Sequence, residues 1–327
     1  MTVRRASMAD VAALAGVSSQ TVSRVVNGSP RVDPATRSRV EAAMERSGYR
    51  VHRAARALRT GRTGTVGVIV STLATVGNSL MLEAVVVAAS AREYAVTVVA
   101  LGEGGAAAAF ERLRDQGVDG VLMINEASAL AGDAPPPPGG RLVVVDAPPR
   151  PGRTAIETDH AEGARAATGH LLDLGHPTVA HLAGPETSYA AAERERGWRE
   201  TLRAAGAPVP EPVRGGWTSA SGFAAASVLL DAAPRPTALF VANDQMALGV
   251  LRACAQRGLR VPDDVSIVGF DDVADAADYT PPLTTVRQHF DRLGQAAVSA
   301  FDADADADAR IVIPPTLIVR ASTAPPG

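Results

Sequence analysis

Six side chains along this chain stand where a buried parallel sheet has no use for them. Asp146 follows RLVVV, Asn243 follows ALFVA, Asp271 follows VSIVGF and Gln288 follows LTTVR, each a polar residue closing a β-rich apolar run. Arg194 in ERERGW and Trp217 after VRGG complete the set. Carboxylates, amides and a guanidinium pair with adjacent hydroxyls, and an indole covers the apolar side of a pyranose, so the group suits a sugar. Two neighbours read more plainly. Asp244 opens DQMALGVLRACAQ and is expected to cap that helix, and Asp272 to hold the turn after its strand. Trp217 also has an ordinary core reading.

A second set lies in SSQTVSRVVN, near the start of the chain. On a helix ending near Val26, with Ser18 as its N-cap, Val22, Val25 and Val26 share an inward face. Ser19, Gln20, Ser23, Arg24 and Asn27 are left pointing out. Short hydroxyls, an amide and a guanidinium hydrogen-bond base edges and phosphates in a major groove. Ser18, Ser19, Gln20, Thr21, Ser23, Arg24 and Asn27 are therefore candidate contacts to double-stranded DNA, with one of Gln20 and Arg24 expected to read an adenine or guanine edge and the other a guanine or a phosphate.

Positioning the two sets takes an all-α head and an α/β body. Ser7 with Asp10 three residues on announces a first helix from Met8 to about Ala15, whose core side would be Val11, Leu14 and Ala15. Gly16 ends it and Val17 plugs the angle to the next helix, which makes a helix-turn-helix. Asp33-Pro34 starts a third helix that stops at Gly48. From Gly64 on, TVGVIVST, AVTVVAL, VDGVLMIN, RLVVVDAP, TVAHLAG, ALFVAND and VSIVGFDD alternate with helical stretches near 79–92, 106–116, 161–174, 188–206, 219–231 and 244–257. Runs apolar on both faces, separated by helices, mean doubly wound parallel sheet covered on both sides. The expected division is a head over 1–50, a tether over 51–62 and a body over 63–327. The body exceeds one core and should form two subdomains, about 63–159 with 290–317 and about 160–289 with 318–327. LTTVRQ and IVIPPTLIVR would supply the return crossings, and a small ligand would sit in the cleft at the strand ends.

Charge supports the division. Residues 1–62 hold 12 Arg against 4 Asp and Glu, while the remainder holds 20 against 31, so the net −3 conceals a basic head on an acidic body. Phosphate attracts the first and repels the second. The chain has no lysine, so its arginine excess alone says little. Within the tether, HRAARALRT has no core face long enough to fold alone, and two turns of helix are marginal in water. Order on binding DNA is the expectation.

DVAALAGVSSQTVSRVVNG, TRSRVEAAMERSGYR and RAARALRTG together carry the signature of the lactose-repressor (LacI-type) family of bacterial transcription regulators, which the chain resembles almost to its C-terminus. The resemblance implies a body like the periplasmic binding proteins, a repressor on operator DNA and a small-molecule effector. It implies further that Tyr49, His52, Ala55 and Leu58 meet DNA, Leu58 as a wedge in the minor groove when two tethers pair as hinge helices. Asp146, Arg194, Trp217, Asn243, Asp271 and Gln288 fall where the member that gives the family its name contacts inducer, with ANDQMALG and YTPPLTT nearly in its words. That match leans toward a galactoside-like sugar that releases the operator. Thr75, Val76, Gly77 and Asn78 replace the apolar wall of that member, and Ser19 replaces its tyrosine beside the recognition glutamine, so aglycone side and operator differ. The end at ASTAPPG lacks the tetramer-forming heptad helix, which implies a homodimer.

Rival readings are weaker. Gly102-Glu103-Gly104-Gly105-Ala106-Ala107, with Glu126 later, satisfies a dinucleotide pattern but follows the second strand and has no catalytic base beside it. His170, His176 and His181 lack zinc spacing, DDVAD lies at a strand end without a companion, and no nucleophile elbow is present. No enzyme activity, cofactor or metal is expected. The lone Cys254 forms no internal disulfide, and no signal peptide or spanning apolar run is seen, which points to the cytoplasm. PPPPGG and DADADADA read as solvated loops. A sugar-binding transport protein would explain the body but not the basic head. A corepressor-dependent regulator of the same family remains the closest alternative.

Overall fold

Local caps fix the head. The computed structural model describes residues 6–26, 29–49, 62–131, 140–302, 306 and 308–327, in two compact units, Met1–Gly64 and Thr65–Gly327. Helix α1 spans Met8–Ala15: Ser7 Oγ accepts from Asp10 N–H and Asp10 Oδ2 accepts from Ser7 N–H (2.8 Å), a closed capping box. Gly16, at φ +63°, turns the chain in the left-handed region open to glycine. In α2 (Ser19–Val26), Ser18 Oγ accepts from Thr21 N–H at 3.1 Å. Asp33 Oδ1 accepts from Thr36 N–H at 2.9 Å to start α3 (Pro34–Ser47), and that backbone bond holds its carboxyl below the usual range. Val11, Ala12, Ala15, Val22, Val25, Val40 and Ala43 make the core. Leu14, expected inside, is 48% exposed, because Ala12 and not Leu14 faces the other helices.

The body is two parallel sheets. Its elements in chain order are β1 (Thr65–Val70), α4 (Val76–Ala91), β2 (Ala95–Ala100), α5 (Gly105–Asp115), β3 (Gly120–Ile124), α6 (Glu126–Ala131), β4 (Arg141–Val145) and β5 (Thr154–Thr158). Then come α7 (His160–Asp173), β6 (Ala180–Ala183), α8 (Tyr189–Ala204), β7 (Val213–Arg214), α9 (Ser219–Leu230), β8 (Ala238–Val241), α10 (Asp244–Gln256) and β9 (Ser266–Asp271). A 3₁₀ turn (Ala274–Asp278), β10 (Thr284–Arg287), α11 (Phe290–Ser299), β11 (Arg310–Ile313) and β12 (Thr316–Ile318) finish it. The first sheet runs β11-β5-β4-β3-β1-β2 and the second β12-β10-β9-β8-β6-β7, with β12 alone antiparallel to its neighbour. The chain passes between sheets after β5, after β10 and between β11 and β12. The period of two sorts alternate residues to opposite cores: Val66, Val68 and Val70 join Leu122 and Val143 on one face, Ile69 joins Val121 and Val144 on the other.

Three elements lie outside the expected pattern. TAIET forms a wholly buried strand, although two threonines and a glutamate mask it. Phe290–Ser299 is a helix whose Leu293, Ala297 and Val298 enter the first sheet's core, and Glu126–Ala131 is a short one. The dinucleotide-like glycines follow the edge strand β2. The tether 51–61, most of PPPPGG and half of DADADADA lie outside the described residues. Among the described residues no helix is long and apolar enough to cross a membrane.

Candidate functional site

Strand ends and helix starts from both sheets converge on one cavity, and Asp146, Arg194, Trp217, Asn243, Asp271 and Gln288 all line it. Asp146 closes β4 and takes Thr158 N–H on Oδ1 at 3.0 Å. Arg194, on the inward face of α8, lies 3.8 Å above the Phe270 ring, donates to Ala242 O and to His160 Nδ1 (3.3 Å), and reaches to 3.6 Å of Asp271 Oδ1. Gln288 Nε2 donates to the same Asp271 oxygen at 2.6 Å, and Gln288 Oε1 accepts from Thr158 Oγ1 at 2.7 Å, at a passage between the sheets. Asn243 caps α10 through Met246 N–H (2.9 Å) and donates Nδ2 to Trp217 O (3.1 Å). Gly184 leaves the space that the indole edge fills.

Backbone strain collects here. Asn125, Asp146, Trp217 and Asp271 have φ of +50°, +48°, +68° and +117°. Such residues cost on the order of 1–3 kcal/mol each and persist where surrounding bonds fix them. Asp146 and Trp217 are held by the Thr158 and Asn243 bonds just described.

Electrostatics match a polar, uncharged ligand. Burial pulls the Arg194 pKa below the ordinary guanidinium value, opposed by Asp271 and Asp146. Burial raises Asp271, opposed by Arg194 and the Gln288 bond. One guanidinium among three carboxylates, Glu126, Asp146 and Asp271, leaves lone pairs and N–H groups that suit hydroxyls. His160 Nε2 sits 2.9 Å from Asp146 Oδ1 but out of line for a hydrogen bond.

Asp244 departs from its expected role. Asn243 is the cap, whereas Asp244 is fully buried and accepts from Thr285 Oγ1 (2.6 Å) and Val273 N–H (3.0 Å). Burial, then Asp271, push its pKa well above the carboxylate norm. It ties α10 to the ends of β9 and β10 and does not line the cavity. Asp272 does hold its turn, by pairing with Arg287 and Arg320 at 2.6 Å each. Thr75, Gly77 and Asn78, expected at the pocket wall, line the cavity, as do Asn125, Glu126, Ser188 and Phe290, which were not singled out as contacts. For Asn125 and Glu126 the signal was there, since VLMI also ends in polar residues.

On the head, Ser18, Ser19, Gln20 and Arg24 are exposed, while Thr21 and Ser23 are half-buried along the same helix. Tyr49, expected at DNA, is buried instead: after the left-handed Gly48 the chain turns back, Tyr49 N–H bonds Met44 O, and the ring packs in the head core. Asn27, His52, Ala55 and Leu58 lie outside the described residues.

Residues 7–51 match the profile of bacterial regulatory proteins of the lacI family, and residues 168–323 that of a periplasmic binding protein-like domain. The chain is 39% identical over 298 residues to the lactose operon repressor of Escherichia coli, covering 88% of this chain and 82% of the relative. The chain belongs to the lacI family. Its likeness to the HTH-type transcriptional regulator CelR of Thermobifida fusca is 38% over 345 aligned positions, 98% of each chain. Among solved structures, a lac repressor dimer bound to operator and the anti-inducer ONPF superposes with a TM-score of 0.83 at 33% identity, covering 98% of this chain and 100% of that one. A CelR–cellobiose complex gives 0.70 at 35%, covering 97% and 100%. Family membership accounts for a helix-turn-helix head and a two-sheet body on one chain.

Proposed function

We propose that this protein is a transcriptional repressor that binds operator DNA as a homodimer through α2 and is released when a sugar, galactoside-like in character, occupies the cleft. One observation carries the reading: six side chains from distant segments, each suited to hydroxyls or a pyranose face, line a single cavity in a chain of a repressor family. Trp217 with Asp146 and Gln288 supports a galactoside over other sugars. The relatives' names, lactose operon repressor and a CelR–cellobiose complex among them, support a sugar as the effector class. Coupling would run through the tether. Any ligand that changes the placement of the first sheet's subdomain at the tether's base costs hinge order and so operator affinity.

The test is a fluorescence-anisotropy titration of promoter DNA from the flanks of the gene, with lactose, galactose and cellobiose added to the complex. Release by one of these sugars is expected. Tighter DNA binding on adding sugar would establish corepression in its place, and indifference to every sugar would end the effector reading.

A further inference from the structure

The cavity has two unlike walls. Arg194, Trp217, Asn243 and Asp271 belong to the second sheet's side, Asn243 bonded to Trp217 and Arg194 paired with Asp271, whereas Asn78, Asn125 and Glu126 belong to the first sheet's side. Asn78 is 1% exposed and has both ends of its amide in use: Nδ2 donates to Thr72 O at 2.9 Å, and Oδ1 accepts from Asn125 Nδ2. That fixes Asn125 and leaves its Oδ1 buried with no hydrogen-bond partner. Asn125 also sits at φ +50°. An unmet buried acceptor is a feature that a ligand's donor would offset.

Glu126 follows directly. Its Oε1 accepts from Trp217 Nε1 at 3.1 Å, and its second oxygen has no partner among the described residues. Trp217 is thus fixed by Asn243 at its carbonyl and Gly184 beneath its ring, both on the second sheet's side, and by Glu126 across the cleft. Asn125 Oδ1 and the spare Glu126 oxygen are acceptors without donors beside them. A wall of that kind selects a guest that brings O–H groups, and disfavours an alkyl or aryl substituent, which would leave them unpaired.

We propose that Glu126, with Asn125 Oδ1 beside it, is a specificity-determining residue that accepts hydrogen bonds from the hydroxyls of a second sugar ring, while its other oxygen fixes the indole on which the first ring stacks. The proposal rests on the sugar-effector reading. It assigns the effector to hydroxylated disaccharides over simple alkyl glycosides.

Calorimetric titration of the full chain tests it with two pairs of probes: lactose against methyl β-galactoside, and cellobiose against methyl β-glucoside. The wild-type protein should bind the disaccharide of one pair at least about tenfold more tightly than its methyl glycoside, the scale of one charge-assisted hydrogen bond. Glu126→Gln keeps an oxygen for the indole but replaces the spare acceptor with a donor. It should lose the disaccharide preference while Trp217 emission stays close to wild type. Glu126→Ala should lose the preference and shift the emission as well. A wild type without preference, or a preference that survives in both variants, overturns the proposal alone. Failure of both pairs to bind the wild type overturns the sugar reading and this proposal with it.

Discussion

Gly184→Ala would place a methyl group against the indole of Trp217. An ideal Cβ at Gly184 lies 2.4, 2.6 and 2.8 Å from Trp217 Cη2, Cζ2 and Cζ3. Carbon atoms rest at about 3.5–4.0 Å, so the ring must retreat by roughly 1 Å. Its Nε1 bond to Glu126, 3.1 Å long, has little slack before it leaves hydrogen-bonding range. Overpacking of this kind costs about 1–3 kcal/mol, and a bond to a charged acceptor is worth about 1.5–3 kcal/mol. With tenfold in affinity per 1.4 kcal/mol, sugar should bind roughly ten- to hundredfold more weakly. The assay is a lactose titration followed by calorimetry and by Trp217 emission, with sugar-free DNA binding as the control, since the head is a separate unit. A displaced emission band with unchanged sugar affinity would refute the indole as the stacking surface; an unchanged band would refute the packing argument itself.

His181 is wholly buried, stacked 4.8 Å from Phe240, with its pKa pushed by burial from 6.5 down to about 4. Between these values the unfolded chain binds the proton and the native one does not, so this stability is complete above about pH 6.5 and is lost as pH falls toward 4, by up to about 3 kcal/mol. Urea unfolding of His181→Phe across that window should show a shallower pH dependence than wild type; equal slopes would count against it. Asn243→Ala should cost about 0.5–2 kcal/mol of body stability through the lost cap of α10 and weaken sugar binding as well. Asn243→Asp, which keeps the cap acceptor but sets a buried carboxylate against Trp217 O, should lose stability too and bind sugar less well. Gln20→Ala and Arg24→Ala should each lower operator affinity about tenfold with sugar affinity untouched; altered sugar binding would mean the exposed face of α2 serves something else.

Legibility followed the range of the interactions. Ser7, Gly16, Asp33 and Gly48 act on backbone groups within a turn or two, so the head's helices could be bounded from a few letters. Tyr49 shows the limit, because its burial depends on how the chain folds back across three helices. In the body, apolar runs announced most strands. TAIET escaped, since polar letters blur its period of two and only packing in the first sheet makes it regular, whereas Phe290–Ser299 keeps a clear stripe of Leu293, Gly294, Ala297 and Val298 that could have announced a helix.

The sequence by itself determined the family, the basic head, the parallel sheets and the six polar or aromatic residues available for a sugar, because residue type and short-range spacing settle those. Tertiary structure decided which of them meet. Thr158 reaches Gln288, 130 residues away, and Glu126 reaches Trp217, 91 residues away, only because the chain passes between the sheets and sets their strand ends around one cavity. It also decided that Asp244 ties α10 to Thr285 and Val273 while Asn243 caps the helix, and that Asn125 and Glu126 complete the cavity wall. Strand order and crossings come from long-range pairing and burial, and no local spacing encodes them.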